Sequence, residues 1–470
     1  MAGQVALPAD TPVLGAATAV AGQGSAAMVA ARLERLPMTG FQRTIFIIIA
    51  TAWFFDSIDL GSLTFLLGSI RTEFGLSTAQ AGLLSSMSFV GMFLGAGISG
   101  MLADRFGRKL VFQVSMIFWG LGSVWCAYAP DSTALGYARL LLGFGMGMEF
   151  PVALAIVSEF LPSAKRGRYL AVLEGFWPLG FIAAGLLSLV LLSTFGWRAV
   201  FLAQAVPALF LFVVRMFVPE SPRWLADRGR FDEANRVLAD IEAKVRARLD
   251  GRPLPEPQPL PAQAQGERRF SFLELWSSGY ASRTVMIWLT WFFALLGFYG
   301  LTTWLGALLQ EAGHSVTKSV SYTILISLAG VPGFISSALL VEGWGRKPTA
   351  VLMLLGSAIA AYLYGHSPSF GWLIAFGLVM QFFLFGMWSV LYAYTPELYP
   401  TRARATGAGC ASAIGRVGSL LGPYAIGVIL PVLGQGGVFA LGGGSFVIAA
   451  AAVAILGVET KGKSLEAISH

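Results

Sequence analysis

The sequence contains few charged residues and very few cysteines or histidines. Charged side chains make up 12% of the 470 residues, against about 25% in soluble globular domains, and 56% are hydrophobic. This shortage of charge excludes an ordinary soluble protein. Cys126 and Cys410 both lie inside apolar stretches, and the three histidines fall in predicted loops or in the tail. The sequence therefore predicts neither a disulfide framework nor a metal site.

The net positive charge of the chain does not indicate nucleic-acid binding. The net charge is +7, but no basic run with interleaved aromatic residues occurs outside one loop. Lys and Arg at the cytoplasmic ends of membrane spans produce the same excess. We therefore expect a lipid bilayer, and no nucleic acid, as the surroundings of this chain.

Apolar stretches long enough to cross a bilayer, about 20 residues each, recur twelve times. They lie at approximately 43–67, 79–103, 109–129, 133–158, 168–194, 197–218, 284–309, 318–341, 347–365, 369–395, 403–430 and 437–457. We predict an all-α membrane protein with a tail at 1–42, six helices over 43–218, a linker with short helices at 219–283, six helices over 284–457 and a tail at 458–470. Lys and Arg concentrate in the loops on one side, so both tails and the linker are predicted to be cytoplasmic, and the first is not expected to be a signal peptide.

The two predicted halves carry the same motifs at a nearly constant spacing. The stretch Asp104–Lys109 (DRFGRK) recurs 238 residues later as Glu342–Lys347 (EGWGRK), and Glu220 recurs 239 residues later as Glu459. Six helices in each copy give both halves the same orientation. A pseudo-two-fold axis along the membrane normal should relate them, with a cavity between the halves that opens to either side.

These motifs resemble the major facilitator superfamily over residues 40–465. The stretches Pro219–Leu225 (PESPRWL), Pro396–Thr401 (PELYPT) and Glu459–Gly462 (ETKG) are similar to the sugar porter and organic-ion branch. Within that branch, Phe55–Asp59 (FDSID) and Glu149–Val152 (EFPV) most resemble the bacterial niacin porters. Synaptic vesicle glycoprotein 2 and the organic anion and cation transporters are more distant relatives.

The resemblance implies the major facilitator fold and a secondary active transporter. From the resemblance to the niacin porters, we expect this protein to import nicotinate, or a similar small aromatic monocarboxylate, by proton symport through alternating access. It would lie in the bacterial inner membrane and act as a monomer. No enzymatic activity and no cofactor are implied, and H⁺ is the coupling ion.

Other substrates and one other class of protein stay open. The substrate could be a benzoate-like acid, an organic ion or a sugar. Sugar porters carry paired Gln and an Asn in and after the seventh helix, whereas Trp291–Tyr299 contains no amide side chain, which disfavours a hexose. A non-transporting receptor or binding protein is the alternative class, and the intact acids and loop motifs favour transport over it.

Six ionisable side chains lie inside the predicted spans, although each costs about 2.5–3.5 kcal/mol there. Four are acids and two are arginines, so two acids lack a cation, and a proton or another cation should neutralise them during the cycle. In proton-coupled relatives the acid at the position of Asp59 alternates between a proton and the arginine that matches Arg139, and a permanent ion pair is the alternative. The predicted coupling residues are Asp56, Asp59, Arg139 and Glu149.

The other two charges are predicted to bind substrate. Arg416 lies near the middle of the eleventh span, and its planar guanidinium suits a carboxylate, with an interhelical salt bridge as the alternative. Glu174 is predicted to contact a pyridine nitrogen, with helix packing as the alternative. A flat ring could stack on aromatic residues near the cavity. These are Trp53, Trp177, Phe298, Tyr299, Trp304, Trp388 and Tyr392.

Charged residues at the cytoplasmic helix ends are predicted to gate the transporter. In relatives such residues form ion-pair networks that hold the halves together in the outward-facing state. Positive-inside topology alone explains the basic residues but not the repeated acids. The predicted set is Asp104, Arg105, Arg108, Glu159 and Arg166 in the first half, with Glu342, Arg346, Glu397 and Arg404 in the second.

Overall fold

The computed structural model describes residues 26–249, 253–257, 275–277, 279–399 and 401–461, and these are almost entirely helical. The first half contains α1 (Gly40–Phe74), α2 (Thr78–Phe106), α3 (Arg108–Ala127), α4 (Ser132–Phe160), α5 (Ser163–Glu174), α6 (Phe176–Ala205), a 3₁₀ turn (Val206–Phe210) and α7 (Leu211–Phe217). The linker contributes α8 (Pro222–Asp227) and α9 (Phe231–Arg246). The second half contains α10 (Ala281–Glu311), α11 (Val316–Leu328), α12 (Gly330–Gly343), α13 (Arg346–Gly365), α14 (Phe370–Glu397) and α15 (Thr401–Leu456).

Twelve membrane crossings follow from ten long apolar stretches in the described part of the chain. Two of the ten are about twice the usual length, Arg168–Phe217 and Thr406–Leu456. A glycine with positive φ interrupts each of them, Gly196 (φ 77°) and Gly434 (φ 62°), a conformation that side chains with a Cβ rarely adopt. Each long stretch therefore divides into two spans, which confirms the predicted twelve-helix fold.

The spacing of 239 residues between Glu220 and Glu459 has a structural cause. Each carboxylate accepts hydrogen bonds from the backbone N–H groups that begin a helix, at α3 (3.0 Å to Arg108 N) and at α13 (3.0 Å to Arg346 N). Burial raises the pKa of Glu459, but its backbone hydrogen bonds outweigh burial and hold that pKa below its ordinary value. The repeated glutamate is therefore an N-terminal helix cap that each half receives from the segment following its last span.

Helices inside each half approach so closely that glycine is required at their contacts. A Cβ on Gly143 of α4 would lie 2.0 Å from the carbonyl oxygen of Ser88 in α2. In the second half, a Cβ on Gly418 of α15 would lie 2.2 Å from the carbonyl oxygen of Phe292 in α10. Membrane helices associate largely through van der Waals packing, which requires close contact between them. Contacts as tight as these make each half a rigid body.

The two halves meet at the end of the bundle opposite the linker, here called the distal end. A Cβ on Gly306 of α10 would lie 2.4 Å from the Thr64 carbonyl oxygen of α1. Ser86 Oγ of α2 donates to the Leu420 carbonyl oxygen of α15 over 2.6 Å. An ion pair between Arg71 and Glu311 joins the same two helix ends, α1 and α10. The distal end is therefore closed.

At the other end, here called the linker end, the N-terminal segment packs on the linker. Arg32 donates to both carboxylate oxygens of Glu242 in α9 at 3.0 Å, and Arg35 donates to the same carboxylate at 2.8 Å. Burial raises the pKa of Glu242, but the two guanidinium groups outweigh it and lower that pKa. The segment at 26–36 thus becomes part of the first half, a contact between residues about 210 apart that the sequence did not predict.

Candidate functional site

Arg416 lies between the two halves and contacts the opposite one. Its guanidinium carbon is 4.9 Å from the ring centroid of Phe150 in α4, and Nη1 is 3.8 Å from the sulfur of Met92 in α2. Both contacts come from the first half, whereas Arg416 belongs to the second. Among the described residues, no carboxylate forms an ion pair with it. Arg416 is thus a partly exposed cation with donors free for an anion, which argues against the interhelical salt bridge in this conformation.

Glu174 and two tyrosines share the space around Arg416. Glu174 ends α5 at 8% exposure and interacts electrostatically with the guanidinium. Tyr299 of α10 and Tyr392 of α14 interact electrostatically with both of these charges. The structure therefore places four predicted substrate residues, from both halves, around one space.

The first half contributes an aromatic wall to this space. The rings of Trp53 and Phe150 are 4.7 Å apart, and those of Phe150 and Trp177 are 5.9 Å apart. Trp53 is 3% exposed, and its indole N–H has no hydrogen-bond partner among the described residues. A buried donor without a partner is costly, so a ligand oxygen here would stabilise it.

The second half contributes the opposite wall. Phe298 lies 5.1 Å from Tyr299 and 5.3 Å from Trp388, measured between ring centroids. Tyr392 is 41% exposed and is the most open of the four. Phe298 is only 1% exposed and supports the wall from behind.

Trp304 occupies a different position from the other predicted aromatic residues. It is completely buried, and its indole nitrogen donates to the Pro423 carbonyl oxygen over 3.0 Å. This bond ties α10 to α15 at the distal end. In this conformation Trp304 packs the second half and does not face the space around Arg416.

The predicted coupling residues form a separate cluster inside the first half. Asp56, Asp59, Glu149 and Arg139 are each at most 2% exposed. The indole N–H of Trp119 donates to Asp59 Oδ2 over 2.8 Å. All three side-chain nitrogens of Arg139 lack a hydrogen-bond partner among the described residues. Arg139 and Asp59 are near enough to interact electrostatically but form no ion pair here, which argues against a permanent one.

The sequence missed several of these contacts. Phe150 lies in the EFPV motif at Glu149–Val152, but we predicted no contact for its ring; Trp119 belongs to a large set of aromatic residues in the spans, and nothing in its spacing distinguishes it. Ser115, whose hydroxyl donates to Glu149 Oε2 over 3.4 Å, is equally inconspicuous. The charged residues were found because charge is rare in a span, whereas aromatic residues are common there.

The predicted gating residues lie at the linker end, and the ion pairs between their described side chains join residues of the same half. Arg108 contacts Asp104 at 3.0 Å and Glu159 at 3.3 Å. In the second half, Arg346 contacts Glu397 at 2.9 Å and Glu342 at 3.6 Å. Arg105 lies against Phe106, and Arg166 contacts Glu34 of the N-terminal segment at 3.5 Å. The side chain of Arg404 lies outside the described part of the chain.

Two rigid six-helix halves, closed at one end around a central cationic site, define a secondary transporter of the major facilitator superfamily. The chain belongs to the sugar (and other) transporter family, whose family model matches residues 37–470.

Relatives with curated descriptions cover nearly the whole chain. It is 40% identical over 438 residues to the niacin transporter NiaP of Acinetobacter baylyi, which covers 93% of this chain and 98% of the relative. It is 31% identical over 433 residues to the 4-hydroxybenzoate transporter PcaK of the same organism, covering 90% and 92%. Among solved structures, the inward open conformation of the xylose transporter XylE from E. coli matches with a TM-score of 0.69 and 19% identity, covering 91% of this chain and 99% of that one.

Proposed function

We propose that this protein imports nicotinate, or a closely similar small aromatic monocarboxylate, by proton symport. The observation that carries the proposal is the Arg416 guanidinium, which lies on Phe150 between the two halves and has no carboxylate partner among the described residues. The 40% identity to a protein named as a niacin transporter supports the substrate. A xylose-like sugar is disfavoured, because charge and aromatic rings line the space where a sugar would need amides.

The substrate would bind with its carboxylate on Arg416 and its ring between the two aromatic walls. Two parallel N–H···O hydrogen bonds from a guanidinium to a carboxylate increase affinity and also fix the orientation of the ligand. Trp177 on one side and Tyr299 on the other would hold a flat ring, and the aromatic contacts that each makes within its own half support this role. Glu174 would then meet the ring nitrogen, which distinguishes a pyridine from a benzene ring.

Proton coupling would use the buried cluster in the first half. Three acids and one arginine leave two negative charges without a cation in a medium of low dielectric, so protonation lowers the cost of the cluster. Asp59 would release Arg139 when it binds a proton, and Trp119 would orient the Asp59 carboxylate. No metal, cofactor or enzymatic step is part of this cycle.

The linker end would face the cytoplasm of a bacterial inner membrane, with both termini inside, and the protein would act as a monomer. Positive charge in the linker-end loops supports this orientation. The closed distal end is a feature of both the inward-facing and the occluded states of an alternating-access cycle. Among the described side chains at the linker end, which do not include Arg404, the ion pairs of Arg108 and Arg346 join residues of one half, as we expect where a network between the halves is broken.

Uptake by reconstituted protein tests the proposal. Proteoliposomes with an alkaline interior should accumulate labelled nicotinate, and collapse of the pH gradient should abolish the accumulation. Asp59→Asn should still exchange nicotinate across the membrane but should not accumulate it. Asp240→Asn, on an exposed carboxylate of the linker helix, is the matched control. Accumulation by Asp59→Asn with unchanged pH dependence would contradict the coupling role.

A benzoate-like acid is the second candidate substrate, favoured by the similarity to a 4-hydroxybenzoate transporter. Competition against labelled nicotinate decides between them. Nicotinate should compete better than benzoate or 4-hydroxybenzoate, and nicotinamide, xylose and tetraethylammonium should compete weakly. Stronger competition by benzoate than by nicotinate would transfer the proposal to the aromatic acids.

A further inference from the structure

A cavity of about 590 Å³ lies between the halves at the distal end. Its wall includes Arg71 and Thr78 from the first half and Glu311, Leu430 and Gln435 from the second. A volume of this size accommodates a small organic ligand. Neither the central substrate site nor the buried acid cluster includes any of these residues.

Arg71 is the cationic group of this distal cavity. Its Nη1 donates to Glu311, and its Nε donates to the Leu76 carbonyl oxygen over 3.2 Å. A guanidinium has five N–H donors, so three remain without a partner among the described residues. The Arg71 side chain is 25% exposed and that of Glu311 is 40% exposed. The cation is therefore reachable from the distal side.

Opening of the distal end must break the ion pair between Arg71 and Glu311. Arg71 lies in the last turn of α1 in the first half, and Glu311 is the last residue of α10 in the second. Rocking of two rigid halves about the central site separates these helix ends. In the state that is open at the distal end, Arg71 then lies at the entrance without the Glu311 carboxylate. This is the state in which substrate enters from that side.

The rest of the distal cavity suits a small anion with an apolar ring. Leu308, Ala312 and Pro431 supply apolar surface next to the guanidinium. Pro431 lies fifteen residues beyond Arg416 in the same helix, which corresponds to about 22 Å at ~1.5 Å per residue. One small molecule cannot reach both arginines, so the distal cavity and the central site are separate stations.

We propose that Arg71 is an entry site that binds the substrate carboxylate when the distal end opens, and that Glu311 is the counter-ion which the substrate replaces. The inference rests on the proposed uptake of an aromatic carboxylate. After the substrate moves inward to Arg416, Glu311 pairs with Arg71 again and closes the distal end. Entry and closure thereby use the same guanidinium.

Opposite effects of two substitutions distinguish an entry site from a simple latch. Arg71→Gln removes the cation and should raise the KM for external nicotinate about threefold. Glu311→Gln removes the competing carboxylate and should lower that KM by a similar factor, with maximal rates within twofold of the unmodified protein. Partly exposed ion pairs are worth up to ~1 kcal/mol, which limits each change to about fivefold. A latch alone would respond to both substitutions in the same direction.

Arg198→Gln is the matched control. Arg198 also pairs with a glutamate at the distal end, Glu73, but both residues belong to the first half. Rocking leaves that pair intact, so the KM should not change. If Arg71→Gln does not insert, Arg71→Lys keeps the charge without the planar fork and should give a KM between those of the unmodified protein and a protein without the cation.

Three results would overturn the proposal. KM shifts of the same sign in Arg71→Gln and Glu311→Gln indicate a latch, and unchanged KM values in both exclude an anion site. A loss of nicotinate affinity by detergent-solubilised Arg71→Gln, beyond twofold, would mean that Arg71 acts on the central site. An absence of nicotinate uptake by the unmodified protein would instead contradict the proposed function, so the two failures are distinguishable.

Discussion

Replacement of Arg416 by alanine should weaken nicotinate binding by roughly 10- to 100-fold. Hydrogen bonds to charged groups contribute about 1.5–3 kcal/mol to binding. At about 1.4 kcal/mol per factor of ten, that range corresponds to the stated loss in affinity. The contact with Phe150 at 4.9 Å orients the guanidinium in the absence of ligand, so ligand binding orders this side chain at little entropic cost. Removal of the side chain therefore saves little entropy, and the loss in affinity reflects the lost hydrogen bonds.

The measurement is a titration of purified protein in detergent, by calorimetry or by the shift in melting temperature that a ligand produces. Arg416→Lys keeps the charge but not the two parallel donors, and we expect a smaller loss of about fivefold to tenfold. Lys244→Ala removes an exposed linker charge and should leave binding unchanged. Nicotinamide has no carboxylate, so its weaker binding should not depend on Arg416.

Two results would refute the reasoning about Arg416. One is nicotinate affinity in Arg416→Ala equal to that of the unmodified protein at equal melting temperature without ligand. The other is an equal loss for nicotinate and nicotinamide, which would show that the substitution disturbs the shape of the site. In either case Arg416 would not be the carboxylate partner, while the fold and family would stand.

Three further predictions concern stability, each read from the melting temperature in detergent. Trp119→Phe removes the 2.8 Å hydrogen bond to the buried Asp59 carboxylate and should cost about 1–3 kcal/mol; an unchanged melting temperature would contradict that contact. Gly143→Ala forces a Cβ against a carbonyl oxygen of α2 at 2.0 Å and should cost ~1–3 kcal/mol, whereas Gly97→Ala, with open space around it, should be neutral or stabilising. The pKa of Glu459 is lower in the folded than in the unfolded state, so its stabilisation is present above the ordinary glutamate pKa and is lost as the pH falls through the folded-state value. Glu459→Gln should therefore lower the melting temperature at neutral pH and flatten its decline in acid, and a parallel decline in both proteins would contradict the capping role.

The fold was predictable because each membrane span can be recognised from its own local sequence. Every backbone polar group in the bilayer must bond within its own helix, so twelve apolar stretches predict twelve helices without knowledge of their neighbours. The duplicated Glu220 and Glu459 predicted that the halves repeat. The structure adds the reason for that repeat, since each carboxylate caps the helix whose loop motif recurs beside it.

The candidate site was predictable only in its charges. Buried ionisable groups are expensive in a bilayer, which singles out Asp59, Arg139 and Arg416 from any sequence of this composition. The sequence did not predict that these charges lie in two separate places. Asp59 and Arg139 lie in a closed cluster within one half, whereas Arg416 crosses to the other half.

Composition, the length of the apolar stretches and the repeated motifs by themselves determined that this chain is a membrane protein with twelve helices, two similar halves and a few costly charges inside the spans. Those properties depend on the local sequence of each helix and on the surrounding bilayer, so none of them requires knowledge of contacts between distant residues. Only the tertiary structure decided that Phe150 lies under Arg416, that Trp119 holds Asp59, that Trp304 is a packing residue, and that Arg71 and Glu311 meet across the halves. Each of these is a meeting of side chains brought together by helix packing, and a sequence pattern with a period of 3.6 residues specifies a face of one helix but not the helix that covers it.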